Sequence, residues 1–188
     1  TGFGVIENNA NLKMGQSIVI FGAGGVGLNM IQAASMHSAW PIIAVDLHQT
    51  RLDIAKLYGA THTINSSEND AFKSINSIVS KEGVDIFIDN TGQPKIIEAG
   101  YQLINKNGKV VLVGVPNQKS NINIHSLGLH FGKLITGSHG GESIPDKDIP
   151  RYLKLFREFK LNTESLVTSR FKLDEINIAI ESMRKGKV

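Results

Sequence analysis

Apolar positions along this chain follow two alternating patterns: short unbroken runs, and longer stretches in which they return at the period of a helix. Unbroken runs such as Ile18-Val19-Ile20-Phe21 and Ile42-Ile43-Ala44-Val45 read as strands covered on both faces, since a half-exposed strand would alternate with polar residues. Between them, Val26, Met30, Ile31 and Ala34 recur at helical spacing over residues 25–36, and Ala33 is small enough to approach a sheet closely. Thr50 is placed to cap a helix over 51–58, and Gly59 to end it. Residues 62–65 read as a third strand and 66–70 as a polar loop. A helix over 71–80 then carries Phe72, Ile75, Ile78 and Val79 on one face.

The second half repeats the scheme. Strands are predicted over 84–89, 108–114 and 133–137, with a helix over 94–104. Residues 117–126 make a polar connection with a short strand or turn at 122–124. Ile149, Leu153 and Phe156 mark a helix over 146–159, residues 167–171 a short strand, and Ile176, Ile180 and Met183 a helix over 173–183. This alternation predicts an α/β fold, a doubly wound six-stranded parallel sheet of Rossmann type with strand order 3-2-1-4-5-6. A ligand crevice is expected at the carboxyl ends of the first and fourth strands. At 188 residues one well-packed domain is expected.

The turn after the first strand carries chemistry. Gly22, Gly24 and Gly27 fill a G-x-G-x-x-G pattern, in which the glycines allow a tight turn, backbone approach to a pyrophosphate, and close helix–strand packing. The following helix offers N–H groups and a partial positive charge to an anion. Asp46 closes the second strand at the spacing of a carboxylate that hydrogen-bonds a ribose diol, so a dinucleotide site is predicted. A P-loop is excluded, because no Gly-Lys-Ser/Thr closes the turn. A 2′-phosphate would set a second negative charge beside Asp46, which favours NAD over NADP, although Arg51 and His48 could both meet a phosphate. The residues Asp89-Asn90-Thr91-Gly92 and Val113-Gly114-Val115 are the candidate floor and wall of the crevice, and Ser138-His139-Gly140-Gly141 is a further glycine-rich turn.

Composition narrows the function classes. A net charge of +3 permits nucleic-acid contact, but the basic residues are dispersed and stacking aromatics are few, so no nucleic-acid partner is expected. With no cysteine there is neither a disulfide framework nor thiolate metal ligation, and the six histidines lack metal-site spacing, so no metal is expected on these residues. No apolar run reaches membrane-spanning length and no signal peptide opens the chain, which leads us to expect a cytoplasmic protein with no membrane partner. The start at Thr1, without methionine, suggests a piece of a longer protein.

A family resemblance rests on ordered motifs: Thr1-Gly-x-Gly4, Gly22-x-Gly24-Gly25-Val26-Gly27-Leu28, Val45-Asp46, Leu52-x-x-Ala55-Lys56-x-x-Gly59-Ala60-Thr61, Gly108-Lys109-Val110-Val111-x-x-Gly114 and Leu173-x-Glu175-Ile176-Asn177. Together these resemble the coenzyme-binding domain of zinc-dependent, medium-chain alcohol dehydrogenases across essentially the whole chain. Asp146-x-Asp148-Ile149-Pro150-Arg151 and Leu166-Val167-Thr168 are most similar to bacterial glutathione-dependent formaldehyde and aryl- or alkyl-alcohol dehydrogenases. The resemblance implies that Gly24, Gly25 and Val26 lie along the pyrophosphate, that Asp46 and Arg51 hold the adenosine ribose, and that Leu47 and Thr91 flank the adenine. By the same resemblance Val113, Gly114 and Val115 line the nicotinamide pocket, with Ser138, His139 and Thr1 nearby. Residues 1–188 would then be the NAD-binding domain of a longer dehydrogenase, inactive alone, whose alcohol or aldehyde substrate and zinc ligands belong to a separate domain. Family members pair across the last strand, so a homodimer or homotetramer is implied. Two alternatives stay open: the cofactor domain of a zinc-free quinone or enone reductase, and a non-catalytic nucleotide-binding module.

Overall fold

The computed structural model describes residues 1–158, 161 and 163–185. Phe159, where the sequence pattern ends a helix, and Lys187-Val188 lie outside the described residues. The elements, in order, are α1 (Gly2–Gly4), a π-helix (Val5–Ala10), β1 (Ile18–Phe21), α2 (Gly25–Met36), β2 (Ile42–Asp46), α3 (Gln49–Leu57) and β3 (His62–Asn65). There follow α4 (Ala71–Ile78), β4 (Val84–Asp89), α5 (Pro94–Leu103), β5 (Ile104–Leu112), α6 (Leu127–His130), β6 (Leu134–Gly137), α7 (Pro145–Arg157) and α8 (Ile176–Arg184). The chain divides into two compact units, Thr1–Arg151 and Tyr152–Val188.

The first unit is built on a six-stranded sheet in the order β3-β2-β1-β4-β5-β6, with every pairing parallel. Parallel strands need helical crossovers, which cover both faces. Ile18–Phe21 and Ile42–Asp46 are accordingly buried at every position. One face of the core packs Phe21, Phe87 and Phe72, with ring centroids 5.8 Å apart for Phe21–Phe72 and 6.1 Å for Phe21–Phe87, around Val19, Ile75 and Val110. Strand order reverses direction between β1 and β4, so their carboxyl ends flank the crevice where such sheets bind ligands.

Several expectations are corrected. Thr50 does not cap α3; the helix begins at Gln49 with His48 in the cap position, and Asp46 Oδ1 accepts the His48 N–H at 2.9 Å. β5 starts at Ile104 because Ile104 pairs with Val84 before a register shift, which absorbs the Asn105-Lys106-Asn107-Gly108 segment that reads locally as a turn. Residues 122–124 and 167–171 hold no strand. The N-terminal residues, to which the sequence pattern assigns no element, are helical. Gly2 lets this segment pack on α2, where a Cβ would stand 2.7 Å from Asn29 Cβ, and Lys109 Nζ caps its far end by donating to the Asn9 and Ala10 carbonyls at 2.9 and 3.1 Å. Burial, and then the charge of Lys13, hold the Lys109 ammonium pKa below its ordinary value.

The second unit contains a 3-10 turn, Leu173–Glu175, leading into α8. Glu175 Oε2 accepts the Lys172 N–H at 2.8 Å, which fixes the turn that starts the helix.

Candidate functional site

β1 ends at Phe21 and the chain must turn at once into α2. Gly22 makes the turn at φ +104°, its N–H donating to the Val45 carbonyl at 2.7 Å. The first ladder bond of α2 runs from the Leu28 N–H to the Gly24 carbonyl at 2.8 Å, and no side chain caps Gly24. The N–H groups of Gly25, Val26 and Gly27 therefore precede the helical ladder, at the positive end of a twelve-residue helix. A cavity of about 420 Å³ opens beside this turn, and Phe21, Gly22 and Gly24 form its inner wall.

The second wall comes from the end of β2 and the start of α3: Val45, Asp46, Leu47, His48 and Arg51. Asp46 is only 7% exposed, a costly place for a carboxylate unless its oxygens are occupied. They are. Oδ2 accepts the Ala23 N–H of the glycine turn at 2.8 Å, Oδ1 accepts the His48 N–H, and Arg51 Nη1 stands 3.8 Å from Oδ2. Two backbone donors thus fix the carboxylate plane at the cavity wall, leaving each oxygen a further lone pair for a ligand hydroxyl.

The third wall is Asn90, Thr91 and Gln93 after β4, with Ile96 of α5, and Ser66 after β3 closes the rim. Beneath it, Asp89 is fully buried and accepts from the Thr91 N–H (3.0 Å), the Thr91 hydroxyl (2.6 Å) and the Gly92 N–H (2.9 Å). Asn90 Nδ2 donates to the Gly22 carbonyl at 3.3 Å, tying this loop to the glycine turn. The loops after β4 and β5 also approach without side chains between them: a Cβ on Gly92 would stand 2.6 Å from the Val115 carbonyl oxygen, and one on Gly114 would overlap the Gly92 nitrogen.

Of the residues singled out from the sequence, Gly22, Gly24, Asp46, Leu47, His48, Arg51, Asn90 and Thr91 line this cavity. Gly25 and Gly27 lie in the first turn of α2; Gly92, Val113, Gly114 and Val115 lie in the loops after β4 and β5. Thr1, Val26, Ser138 and His139 do not line the cavity: a Cβ on Gly2 would stand 2.9 Å from the Val26 carbonyl oxygen, one on Gly141 would stand 2.4 Å from the Thr1 carbonyl oxygen, and the Gly141 N–H donates to Ser138 Oγ at 3.1 Å. Glu142 closes that turn, accepting the His139 N–H and an Asn9 side-chain hydrogen bond, which together hold its carboxyl pKa below the usual value. Ser66, Gln93 and Ile96 were not foreseen. Each follows the end of a strand or opens a helix, and only the sheet order brings it to the cavity.

Among the described residues no group of three or more His, Cys, Asp or Glu side chains is arranged to hold a metal ion. Nor is any described helix long and apolar enough to cross a membrane.

Comparison with known proteins agrees with this fold. The chain is 32% identical over 191 aligned positions to the class-P alcohol dehydrogenase of Arabidopsis thaliana, covering 100% of this chain and 50% of that protein. It is 30% identical over 189 positions to an S-(hydroxymethyl)glutathione dehydrogenase of Escherichia coli, covering 100% and 51%. The crystal structure of benzyl alcohol dehydrogenase from Acinetobacter calcoaceticus superposes with a TM-score of 0.90 at 35% identity, over 99% of this chain and 51% of that one. The chain thus spans about half the length of the relatives it matches. The family model for zinc-binding dehydrogenases matches residues 25–158, from the start of α2 through β6 to the end of α7. With relatives and fold in agreement, the chain belongs to the zinc-binding dehydrogenase family, and its sheet is the coenzyme-binding domain of that family.

Proposed function

We propose that residues 1–188 bind NAD(H) as the cofactor domain of a zinc-dependent alcohol dehydrogenase. The observation that carries this reading is Asp46, a nearly buried carboxylate held by the Ala23 N–H of the glycine turn and lining the cavity with Gly22 and Gly24. Each group would meet the part of the dinucleotide that suits it. The diol of the adenosine ribose would bond to Asp46, with Arg51 beside it. Adenine would lie between Leu47, Ile96 and Thr91, and the pyrophosphate against Gly24, Gly25 and Val26, where neither glycine has a protein atom within 4 Å of a Cβ position. Val113 to Val115, Thr1, Ser138 and His139 would surround the nicotinamide, whose C4 takes up the hydride when an alcohol is oxidised to an aldehyde or ketone.

The names of the relatives, all alcohol dehydrogenases or close to them, support this chemistry over that of a quinone or enone reductase. Zinc ligation is assigned to residues outside these 188. The protein of these 188 residues is accordingly expected to bind cofactor without turnover.

Calorimetric titration tests the reading. NADH binds the wild-type protein, and Asp46→Asn weakens it by about tenfold or more, the loss expected when a charged acceptor of two hydroxyls becomes neutral. A flat wild-type titration would sink the proposal. Equal affinity in the variant would remove Asp46 from it.

Self-association as a homodimer or homotetramer is supported by β6, which ends the strand order, pairs among the described residues with β5 alone, and exposes Leu134. Light scattering is expected to give a mass of two or four chains, and a monomer at all concentrations would contradict it.

A further inference from the structure

We infer that Asn9 and Glu142 are positioning residues, which together hold the turn at 138–142 in the shape that receives the nicotinamide end of the cofactor. The inference rests on the cofactor reading above. A doubly wound sheet binds a dinucleotide across its crevice, with one half over each set of three strands. Asp46 and the glycine turn belong to β1 and β2, so the second half is left to the carboxyl ends of β4, β5 and β6. The turn at 138–142 leaves that edge. Its first N–H, that of Ser138, still donates to the Leu112 carbonyl of β5 at 2.9 Å. The surface there is open, since a Cβ on Gly137 or Gly140 would meet no protein atom within 4 Å, as at Gly24 and Gly25.

The backbone of this turn does not hold itself. Gly140, Gly141 and Glu142 follow one another at φ +63°, +72° and +45°, and glutamate seldom adopts that left-handed conformation. It persists where contacts from elsewhere impose it. Glu142 Oε1 accepts the His139 N–H at 3.1 Å and Oε2 accepts from Asn9 Nδ2, while Asn8 Nδ2 donates to the Gly141 carbonyl at 2.8 Å. Asn9 is itself anchored. Its carbonyl accepts from Lys109 Nζ at 2.9 Å, and Glu7 of the same helix pairs with Arg151 at 2.6 Å. The N-terminal segment therefore shapes a turn 133 residues further along the chain. The first half of the cofactor site, built from Gly22, Gly24 and Asp46, hangs on other bonds.

The test compares affinities for NADH and ADP-ribose by calorimetry in wild type, Glu142→Gly, Asn9→Ala and the double variant. ADP-ribose carries the adenosine, the pyrophosphate and the second ribose but no nicotinamide, so the charge common to both ligands cancels in their ratio. Glycine accepts the left-handed backbone, so Glu142→Gly keeps the fold while releasing the turn. Wild type binds NADH more tightly than ADP-ribose. Each single variant loses about tenfold in NADH affinity and changes by less than about twofold toward ADP-ribose, and the double variant loses no more than either single one. The fluorescence of bound NADH, which reports the surroundings of its nicotinamide, moves toward that of free NADH in the same variants. Undiminished NADH affinity in the single variants, equal weakening of both ligands, or additive losses in the double variant overturns the inference. Wild type that binds the two ligands equally also overturns it, and leaves the adenosine half of the cofactor reading standing. Wild type that binds neither overturns the cofactor reading itself.

Discussion

Gly27→Ala is expected to cost about 3 kcal/mol or more of stability and to remove NADH binding with it. A Cβ at Gly27 would meet the Gly22 carbonyl oxygen well inside van der Waals contact and the Gly22 carbonyl carbon at 3.0 Å. That carbonyl has nowhere to go. Its oxygen accepts from Asn90 Nδ2, the Gly22 N–H is held by Val45, and the residue already sits at φ +104°. Relief would require α2 to lift from β1, opening the packing around the fully buried Met30 and Ile31. Gly24→Ala is the control. Its Cβ meets no protein atom within 4 Å and its φ of −71° suits alanine, so its stability should stay within about 0.5 kcal/mol of wild type. Its NADH affinity should nonetheless fall about tenfold, because the methyl group would occupy the space against which the pyrophosphate lies. Urea denaturation followed by circular dichroism, paired with calorimetry, separates the two effects. A Gly27→Ala protein as stable as wild type, or a Gly24→Ala protein that binds NADH undiminished, contradicts the division of labour among these glycines.

Much of the fold was legible because the sheet is parallel and covered on both faces. Ile18–Phe21, Ile42–Asp46 and Val84–Asp89 must be nearly all apolar, and unbroken runs of that kind between helical patterns leave few other arrangements. What escaped was decided by partners distant in sequence. The N-terminal helix contains Gly2 and Gly4, which weaken helix propensity, and it forms against α2 and the turn at Gly141. Val167 and Phe171 have the composition of a strand, yet both are exposed and neither lies in one.

The candidate site divides in the same way. Asp46 was legible from its spacing to the glycine turn, because a β-α-β unit has a nearly fixed length. The hydrogen bond from the Ala23 N–H to Asp46 Oδ2 gives that spacing its physical content. Ser66, Gln93 and Ile96 carry no local signal, since an ordinary polar or apolar residue after a strand becomes a cavity wall only through the order β3-β2-β1-β4. His48 was visible as a possible phosphate contact, but its backbone link to Asp46 was not.

Asp89→Ala is expected to destabilise the protein by about 4 kcal/mol, since three donors lose a buried acceptor and each unmet donor costs about 1–3 kcal/mol, less whatever water can recover. The carboxylate is fully buried and holds the Thr91 N–H, the Thr91 hydroxyl and the Gly92 N–H. The Asp89 carbonyl meanwhile accepts the Val113 and Gly114 N–H groups at 2.8 and 3.0 Å, so a single residue organises the loops after β4 and β5. Asp89→Asn keeps the shape but turns an N–H₂ toward at least one of these donors, for an intermediate loss of about 2 kcal/mol. Cofactor binding should weaken in both variants even where they remain folded, because Thr91 and Asn90 line the cavity and Asn90 also holds the Gly22 carbonyl. Urea denaturation gives the stability change, and amide exchange at Thr91 and Gly92 shows where it originates. Wild-type stability in Asp89→Ala, or unchanged exchange at those two amides, would show that the loop is held by packing rather than by the carboxylate. The expected order, wild type above Asp89→Asn above Asp89→Ala, follows from the number of donors each side chain leaves unmet.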